Sequence, residues 1–313
     1  MLAPLGSCYQ GTRLHQEGGR GRLCMGWLGR TLDRMAHWLL KWRIIRAPAR
    51  WIVNSRYAWS VVSRTDRVRQ RRLQTRVLSD KLPQHISIIM DGNRRYASDS
   101  GLAATLGHRA GKEKLEEVMD WVLEMDIPYL TVYALSTENI TGRKPEELEA
   151  LFDLYVEGLN DLSKDERIHK NSVKVRVAGR KELLPQKVLD AIENTEKVTE
   201  SYDKFVFTVC LAYGSREEII DAVRGIAADH ADGSLDLDSI DEMEISKRLW
   251  TGDMPDPDLV IRTSGEERIS NFLLWQSAYA EYYFTDVYWP SFSKADLLEA
   301  IEAYQNRKRR FGE

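Results

Sequence analysis

Apolar and polar positions alternate with two different periods along residues 85–313. Short apolar runs rich in β-branched and aromatic residues separate longer stretches with helical spacing. The longer stretches predict helices near 109–124, 145–163, 184–200, 215–231, 242–250 and 294–309. The short runs predict strands at Ile86–Met90, Tyr129–Leu135, Val173–Ala178, Phe205–Ala212 and Leu259–Arg262. This alternation predicts a single α/β domain, residues 81–313, whose mainly parallel central sheet is flanked by helices.

The first 80 residues follow a different pattern. Residues 1–25 are rich in glycine and arginine, so we expect them to be disordered or to precede a start at Met25. Residues 26–80 form a basic extension that holds five of the nine tryptophans. One face of its predicted helix is apolar, with Leu28, Leu32, Met35, Leu39 and Trp42 at helical spacing. Such a helix is typical of a membrane surface, although packing on its own domain or on a dimer partner fits the pattern too.

Charge divides the chain at the same place. Residues 1–80 carry 16 Lys and Arg against 4 Asp and Glu, whereas the rest carries 29 against 44. The run "RTDRVRQRRLQTR" at 64–76 fits contact with anionic lipid, contact with nucleic acid or a solvated linker. No apolar stretch reaches the ~20 residues of a membrane span. Three cysteines without CxxC spacing argue against a disulfide framework or a zinc site and favour the reducing cytoplasm.

Candidate chemistry begins where the first predicted strand ends, at Asp91-Gly92-Asn93-Arg94-Arg95. Glycine lets backbone N–H groups approach an anion, and a helix beginning here would direct its positive end towards that anion. A carboxylate beside a phosphate site is compatible with a bridging Mg²⁺, which commonly binds few carboxylates together with substrate phosphates. The alternative is an ordinary strand–helix turn with a capping aspartate.

Two further clusters follow later strands. Ser136, Asn139 and Arg143 lie in "ALSTENITGR", where they could position a reacting atom or simply form a loop. The segment "VIRTSGEERISNFLLWQ" supplies a second possible phosphate clamp, made of Arg262, Arg268 and Ser270. Downstream, Glu281 lies among aromatic residues, where a carboxylate needs a metal or an arginine partner.

Several common sites are missing from the sequence. It has no GxSxG nucleophile motif, no GxxxxGK[ST] phosphate loop and no GxGxxG dinucleotide motif. Two anion clamps and two candidate metal carboxylates remain, without an obvious nucleophile. The residues alone therefore indicate two phosphorylated substrates and a metal ion.

Five ordered blocks make the sequence resemble the cis-prenyltransferases, the undecaprenyl diphosphate synthase family. They cover the chain from about residue 82 to its C-terminus. The Arg94-Arg95-Tyr96 version of the first block is similar to the archaeal and eukaryotic branch, and the later blocks are similar to homodimeric members. The blocks are "HISIIMDGNRRYA", "GHRAG", "TVYALSTEN", "VIRTSGEERISNFLLWQSAYAEYYFTDVYWP" and "NRKRRFG".

The resemblance implies a role for each matching residue. It places the allylic diphosphate on the backbone of Gly92, Asn93, Arg94 and Arg95, near His108. It assigns isopentenyl diphosphate to Arg262, Arg268 and Ser270, and Mg²⁺ to Asp91 and Glu281. Ser136 and Asn139 would lie between the substrates with Asp91 as the catalytic residues, and Arg143 and Glu147 would belong to a mobile loop that closes the site.

The implied activity is the addition of isopentenyl diphosphate units to a geranylgeranyl or farnesyl diphosphate primer. The product would be a long polyprenyl diphosphate for a lipid glycosyl carrier, made by a cytoplasmic homodimer at a membrane surface. A non-catalytic subunit of a heteromeric prenyltransferase is the alternative, and a nucleic-acid-binding protein is disfavoured by the acidic body.

Two positions depart from the family, and both concern the allylic primer. Ala104 replaces a residue that is commonly basic, and Ile140 replaces one that is commonly aromatic. Product length is expected to depend on an apolar tunnel, for which Ala134 is the best single candidate. The other tunnel candidates, most of which could equally be plain core, are Leu115, Val118, Val122, Leu148, Leu151, Phe152 and Tyr155.

Overall fold

The structure, a computed structural model, describes residues 70–307. Six strands are present in this part of the chain: β1 (His85–Ile89), β2 (Tyr129–Tyr133), β3 (Val173–Ala178), β4 (Phe205–Cys210), β5 (Leu259–Arg262) and β6 (Glu281–Phe284). The helices are α1, which includes residues 70–78, α2 (Asn93–Asp99), α3 (Ala104–Glu124), α4 (Thr137–Gly142), α5 (Pro145–Leu162), α6 (Glu166–Lys170), α7 (Gln186–Val198), α8 (Ser215–Ala231), α9 (Glu242–Arg248) and α10 (Lys294–Asn306).

The described strands form one parallel sheet in the order β3-β4-β2-β1-β5-β6. β1 lies between β2 and β5, so the chain leaves this central strand towards both sides of the sheet. In such sheets ligands bind beyond the carboxyl ends of the strands, at the point where the order reverses. Ile89 at the end of β1 pairs with Tyr133 on β2 and with Arg262 on β5. The segments that follow these three strands therefore meet.

On one face of the sheet, helices α2 and α3 pack closely against each other. A side chain at Gly107 would place its Cβ 2.2 Å from the carbonyl oxygen of Asn93, and one at Gly111 would lie 2.5 Å from the Asn93 Oδ1. Glycine at these two positions, one helical turn apart, lets α3 lie against the start of α2. The buried Trp289 completes the contact by donating from Nε1 to the carbonyl of Gly111 at 2.8 Å.

The predicted α/β fold is confirmed, with corrections at its edges. Two strands were predicted with their observed bounds, and three differ by one or two residues. The sheet is parallel throughout its described strands, and β6 was missed because it has only four residues, three half-buried and one exposed. The short α2, α4 and α6 were not predicted as separate helices.

The predictions for residues 1–25 and for most of the basic extension lie outside the described part of the chain. Within residues 70–307, none of the helices combines the length and the apolar character that crossing a bilayer requires.

Candidate active site

A cleft of about 680 Å³ opens at the carboxyl ends of β1, β2 and β5. An adjoining pocket of about 470 Å³ reaches the start of α2 and adds Gly92 and Arg95. Cationic and hydrogen-bonding groups line much of the cleft. Its polar lining comes from Asp91, Asn93, Arg94, His108, Tyr133, Ser136, Glu138, Asn139, Arg143, Tyr155, Arg216, Arg262, Ser270 and Asn271.

Asp91 is the carboxylate around which the cleft is arranged. Its Oδ2 accepts from Arg262 Nη2 at 2.9 Å and lies 3.4 Å from Arg95 Nη2. Its Oδ1 accepts the Gly92 N–H at 2.7 Å. The backbone is held as well, because the Thr263 hydroxyl donates to the Asp91 carbonyl at 2.6 Å. Asp91 is therefore an anchored carboxylate between two arginines, rather than an ordinary helix cap.

Gly92 makes the turn from β1 into α2. Its φ of 105° is in the left-handed region, which disfavours side chains. A Cβ at this position would also lie 3.0 Å from Ser264 and from the Tyr288 ring. The turn brings Arg95 back over the β5 loop, where its Nη1 donates to the Ser264 carbonyl and to Glu266 Oε1, each at 3.2 Å.

Arg262 is the most deeply buried cation of the cleft, with its side chain 4% exposed. Besides Asp91, it donates through Nη1 to Ser270 Oγ at 2.8 Å and to the carbonyl of Arg268. Its Nε is buried without a protein acceptor. The structure thus brings Arg262 and Ser270 together as the sequence predicted. The Arg268 side chain lies elsewhere: it is 62% exposed and pairs with Glu266.

A second cationic group lies across the cleft and surrounds Glu147. Glu147 Oε1 is 2.5 Å from Arg143 Nη1, 3.6 Å from His108 Nε2 and 3.8 Å from Arg94 Nε. Burial alone would raise the pKa of Glu147, but the charges of Arg143 and Arg94 outweigh it and hold this pKa below its usual range. Burial, together with the charge of Arg143, lowers the pKa of His108. At neutral pH the group therefore holds two positive charges, one negative charge and a neutral imidazole.

Ser136 has a structural bond that the sequence did not predict. It is the N-cap of α4, and its hydroxyl accepts the backbone N–H of Asn139 at 3.1 Å. Both side chains still line the cleft. Arg143 ends α4 and Glu147 lies in the first turn of α5, so the predicted loop is a junction between two helices.

Within one chain, the structure does not bring Glu281 to Asp91, as the metal prediction required. It is the first residue of β6 and pairs in register with Leu259, at the amino end of the sheet, whereas Asp91 follows the carboxyl end. Its Oε2 accepts from Arg307 Nη1 at 2.6 Å. Asp91 and Glu281 of the same chain therefore cannot hold one metal ion. Among the described residues, no cluster of three or more acidic, histidine or cysteine side chains could hold a metal ion without help from another molecule.

An apolar tunnel of about 240 Å³ continues from the cleft between α3, α5 and the sheet. The two cavities share Ala134, His108 and Tyr155 in their linings. Of the predicted tunnel residues, Leu115, Ala134, Leu151 and Tyr155 line it. Val118, Val122, Leu148 and Phe152 do not line it; they belong to the core or pack against it.

Asn271 is the main site residue that sequence reasoning missed. Its Nδ2 donates to Glu138 Oε1 and to Glu217 Oε2, each at 3.1 Å, and its Oδ1 accepts the Arg216 N–H at 2.9 Å. It adopts a left-handed φ of 63°, next to Ser270 at 47°. Asparagine tolerates this conformation better than most residues, so the "RISN" turn after β5 was the available signal.

Comparison with known proteins gives consistent matches along the described domain. Residues 89–312 match the family described as "Putative undecaprenyl diphosphate synthase". A tritrans,polycis-undecaprenyl-diphosphate synthase (geranylgeranyl-diphosphate specific) of Methanopyrus kandleri is 54% identical over 243 residues, which are 78% of this chain and 89% of the relative. The Thermoplasma volcanium protein of the same name is 51% identical over 230 residues, 74% of this chain and 89% of the relative.

Solved structures agree with these sequence matches. Lavandulyl diphosphate synthase from Lavandula x intermedia, solved in complex with dimethylallyl diphosphate, superposes with a TM-score of 0.71 at 36% identity, covering 74% of this chain and 99% of that one. A probable undecaprenyl diphosphate synthase from Campylobacter jejuni gives a TM-score of 0.61 at 31% identity, covering 75% of this chain and 100% of that one.

Proposed function

The chain belongs to the undecaprenyl diphosphate synthase family of prenyltransferases, and from this membership we propose how its own residues perform the reaction. It condenses isopentenyl diphosphate units onto an allylic diphosphate primer to make a long polyprenyl diphosphate. The observation that carries the proposal is one carboxylate, Asp91, between two cationic groups at the mouth of an apolar tunnel. The cationic groups suit two diphosphates, and the tunnel suits a growing hydrocarbon chain.

The allylic diphosphate binds at the start of α2. The Gly92 N–H already donates to Asp91 Oδ1, so the backbone N–H groups of Asn93, Arg94 and Arg95 at the start of the helix are the donors we assign to it. The side chains of Arg94, Arg95 and Arg143 supply positive charge. His108 lies 3.5 Å from Arg143 and is neutral, so it contributes a hydrogen bond rather than charge. The primer chain then extends past Ala134 into the tunnel.

Isopentenyl diphosphate binds on the β5 side of the cleft. Arg262 is held by Asp91 and Ser270, and its buried Nε has no acceptor in the described protein. Arg268 reaches this anion only after leaving its exposed pair with Glu266, and such a pair is worth at most ~1 kcal/mol. The two diphosphates thus lie on opposite sides of Asp91, with Ser136 and Asn139 beside the space between them.

The reaction begins when the allylic C–O bond breaks and its electron pair leaves with the diphosphate. Arginines placed in advance stabilise this developing negative charge more than they stabilise the ground state. The isopentenyl double bond then attacks the allylic carbon to form the new C–C bond, and the C2 proton that is lost passes to the departing diphosphate, a base that the reaction itself supplies.

A magnesium ion fits the donor set beside Asp91. The site offers a hard carboxylate next to the places where diphosphates bind, and Mg²⁺ commonly takes one or two carboxylates plus substrate oxygens. Bound there, the ion would neutralise charge on the leaving diphosphate. Asp91 would hold the ion, and Glu281 of the same chain would not, because it pairs with Arg307.

The primer, carrier, dimer and membrane predictions extend the same proposal. We take geranylgeranyl diphosphate as the primer because the archaeal relatives are named as specific for it. The product would serve as a lipid carrier of sugars. β6 is an edge strand whose neighbouring Tyr279 is 75% exposed, which supports a homodimer across this edge. The basic extension would bring the enzyme to the membrane that receives its product.

The test is incorporation of radiolabelled isopentenyl diphosphate by the purified full-length chain with Mg²⁺, offering farnesyl and geranylgeranyl diphosphate separately. Wild type should yield long polyprenyl products, Asp91→Ala should yield none, and the exposed control Asp153→Ala should match wild type. Absence of product with both primers would favour the non-catalytic subunit of a heteromeric enzyme. The joint presence of Asp91, Arg262 and Ser270 in hydrogen-bond contact argues against that alternative.

A further inference from the structure

The tunnel is too small for the product that the proposed function requires. A cavity of roughly 150 Å³ holds one benzene, so a tunnel of about 240 Å³ holds on the order of ten carbons. That is roughly two isoprene units by the same measure. A geranylgeranyl tail already exceeds this space, and each condensation lengthens it. One wall of the tunnel must therefore open during elongation.

The sheet wall is the less able to move. Its tunnel-facing residues include Phe207 and Val209 on β4, a strand that is paired on both sides by backbone hydrogen bonds. The opposite wall is the seam between α3 and α5, where the helices meet through side chains only. Apolar side chains of both helices, among them Leu115 and Leu159, line the tunnel, and Gly158 on α5 leaves one position of this wall without a side chain.

Lys112 crosses the seam at this position. Its Nζ lies 2.5 Å from Asp161 Oδ2 and 3.2 Å from Glu157 Oε1, both on α5. Its stem lines the tunnel and crosses above Gly158, where a Cβ would meet Lys112 Cε at 3.5 Å. The side chain is 17% exposed, whereas its partners Glu157 and Asp161 are 41% and 57% exposed. Pairs with such exposed partners are screened by water and salt, and typically contribute at most ~1 kcal/mol each.

We propose that Lys112 is a strap across the α3–α5 seam that the elongating chain must open, and that it thereby limits product length. The inference rests on the proposed function. A short chain fits beneath the lysine stem. A longer chain must separate α3 from α5, which breaks the pairs of Lys112 with Asp161 and Glu157. Water at the surface then hydrates the separated charges. Elongation stops at the chain length at which this cost makes further condensation slower than release of the product.

The informative variant is Lys112→Met, which keeps an unbranched apolar stem and removes the ammonium. Product length should shift upwards by at least one isoprene unit, and added NaCl should shift the wild type in the same direction because it screens the pairs. Gly158→Leu should shift length downwards by filling the space beneath the stem. The matched control is Lys114→Met, whose lysine is 14% exposed and pairs at 2.7 Å with Glu117 on its own helix, away from the tunnel lining.

A second readout does not need turnover. Affinity for a long polyprenyl diphosphate, relative to farnesyl diphosphate, should rise in Lys112→Met and stay at the wild-type ratio in Lys114→Met. Polyprenyl product from wild type with unchanged or shorter chains from Lys112→Met, or an unchanged affinity ratio, would overturn the strap. Failure of wild type to condense isopentenyl diphosphate would instead refute the proposed function, and the affinity ratio would still decide whether the seam responds to chain length.

Discussion

The catalytic cleft and the tunnel seam are both held by ion pairs, but they differ in exposure. In the cleft, Arg262 is 4% exposed and meets Asp91, which is 31% exposed, at 2.9 Å. At the seam, Lys112 is 17% exposed and meets Asp161, which is 57% exposed, at 2.5 Å. Removing one partner from a buried pair leaves an uncompensated charge, whereas an exposed charge is taken up by water. The shorter distance therefore belongs to the weaker restraint, and burial decides which region is fixed.

The two cations also differ in kind. The planar guanidinium of Arg262 reaches Asp91, Ser270 and the Arg268 carbonyl at once, which fixes its orientation. The ammonium of Lys112 is a point charge on a flexible stem and can exchange Asp161, Glu157 and Glu116 without losing its charge. A fixed cation suits a site that must orient two reacting atoms, and an exchangeable one suits a wall that must move.

The largest effect is expected from replacing the guanidinium of Arg262 by a lysine ammonium. Arg262→Lys cannot make the three contacts together, so kcat/KM for isopentenyl diphosphate should fall on the order of 10²- to 10³-fold, as when one preorganised donor is removed. Steady-state rates with varied isopentenyl diphosphate measure this. The control Arg176→Lys changes a pair in which Arg176 is 23% and Asp253 64% exposed, and it should change kcat/KM by less than about twofold. A fall of similar size in both variants would remove the contrast between buried and exposed pairs.

Acidic pH should lower the free energy of unfolding through His85. His85, at the amino end of β1, is buried with its ring nitrogens on Pro255 and Thr131, and burial lowers its pKa to about 4. The unfolded chain binds a proton near pH 6.5 and the folded chain does not. Stability is therefore complete above pH 6.5 and falls by about 3 kcal/mol as the pH approaches 4.

Urea unfolding across this pH range measures the loss. His85→Gln should flatten that part of the profile, because it removes the group whose proton affinity differs between the two states. An unchanged slope in this variant would assign the acid sensitivity to other groups. Glu147 is one candidate: its lowered pKa makes its contribution to stability present above the unfolded value and lost as the pH falls.

A smaller effect is expected at Asn271, which joins the turn after β5 to α4 and α8. Asn271→Gly keeps the left-handed backbone but loses the bonds to Glu138, Glu217 and the Arg216 N–H. We expect KM for isopentenyl diphosphate to rise roughly tenfold, since hydrogen bonds to charged groups contribute about 1.5–3 kcal/mol. Asn171→Gly, at the end of α6, is the control. An increase in the KM for the primer alone would place Asn271 on the other side of the reaction.

The smallest effect should be on the stability of the seam. Lys112→Met should change the free energy of unfolding by less than ~1 kcal/mol at moderate salt, and the difference should vanish in concentrated salt. Asp91→Ala should cost several times more and resist salt, because it leaves Arg262 buried with one partner fewer. Denaturant titrations at two salt concentrations compare the variants. Equal, salt-resistant losses would mean that the seam is as fixed as the cleft.

The sequence predicted the cleft better than the tunnel for physical reasons. Asp91 and Arg262 each directly follow or end an apolar run, and parallel strands bring such positions to one edge of the sheet. Tunnel lining depends on which side of a helix faces a gap only a few ångströms wide. Leu115 and Val118 are neighbours on α3 with similar side chains, yet only Leu115 lines the tunnel. Periodicity identifies a buried face and does not distinguish cavity from core.

Glu281 shows why the metal role implied by the resemblance does not hold within one chain. The residues alone left a metal or an arginine partner open, and "EYYF" is a four-residue edge strand that runs parallel to β5 and begins with Glu281. Without that strand the side of the sheet could not be known, and the partner Arg307 lies 26 residues further along. Ser136 was placed in the right cleft, although its capping bond to Asn139 requires the short α4 that the pattern did not reveal.

The most direct measurement records rate and product length in the same reactions, with geranylgeranyl diphosphate and excess isopentenyl diphosphate. It compares wild type, Arg262→Lys and Lys112→Met. The account predicts that Arg262→Lys condenses far more slowly with the wild-type product length, whereas Lys112→Met makes longer chains. Altered length in Arg262→Lys together with unaltered length in Lys112→Met would contradict the division between a fixed cleft and an opening seam.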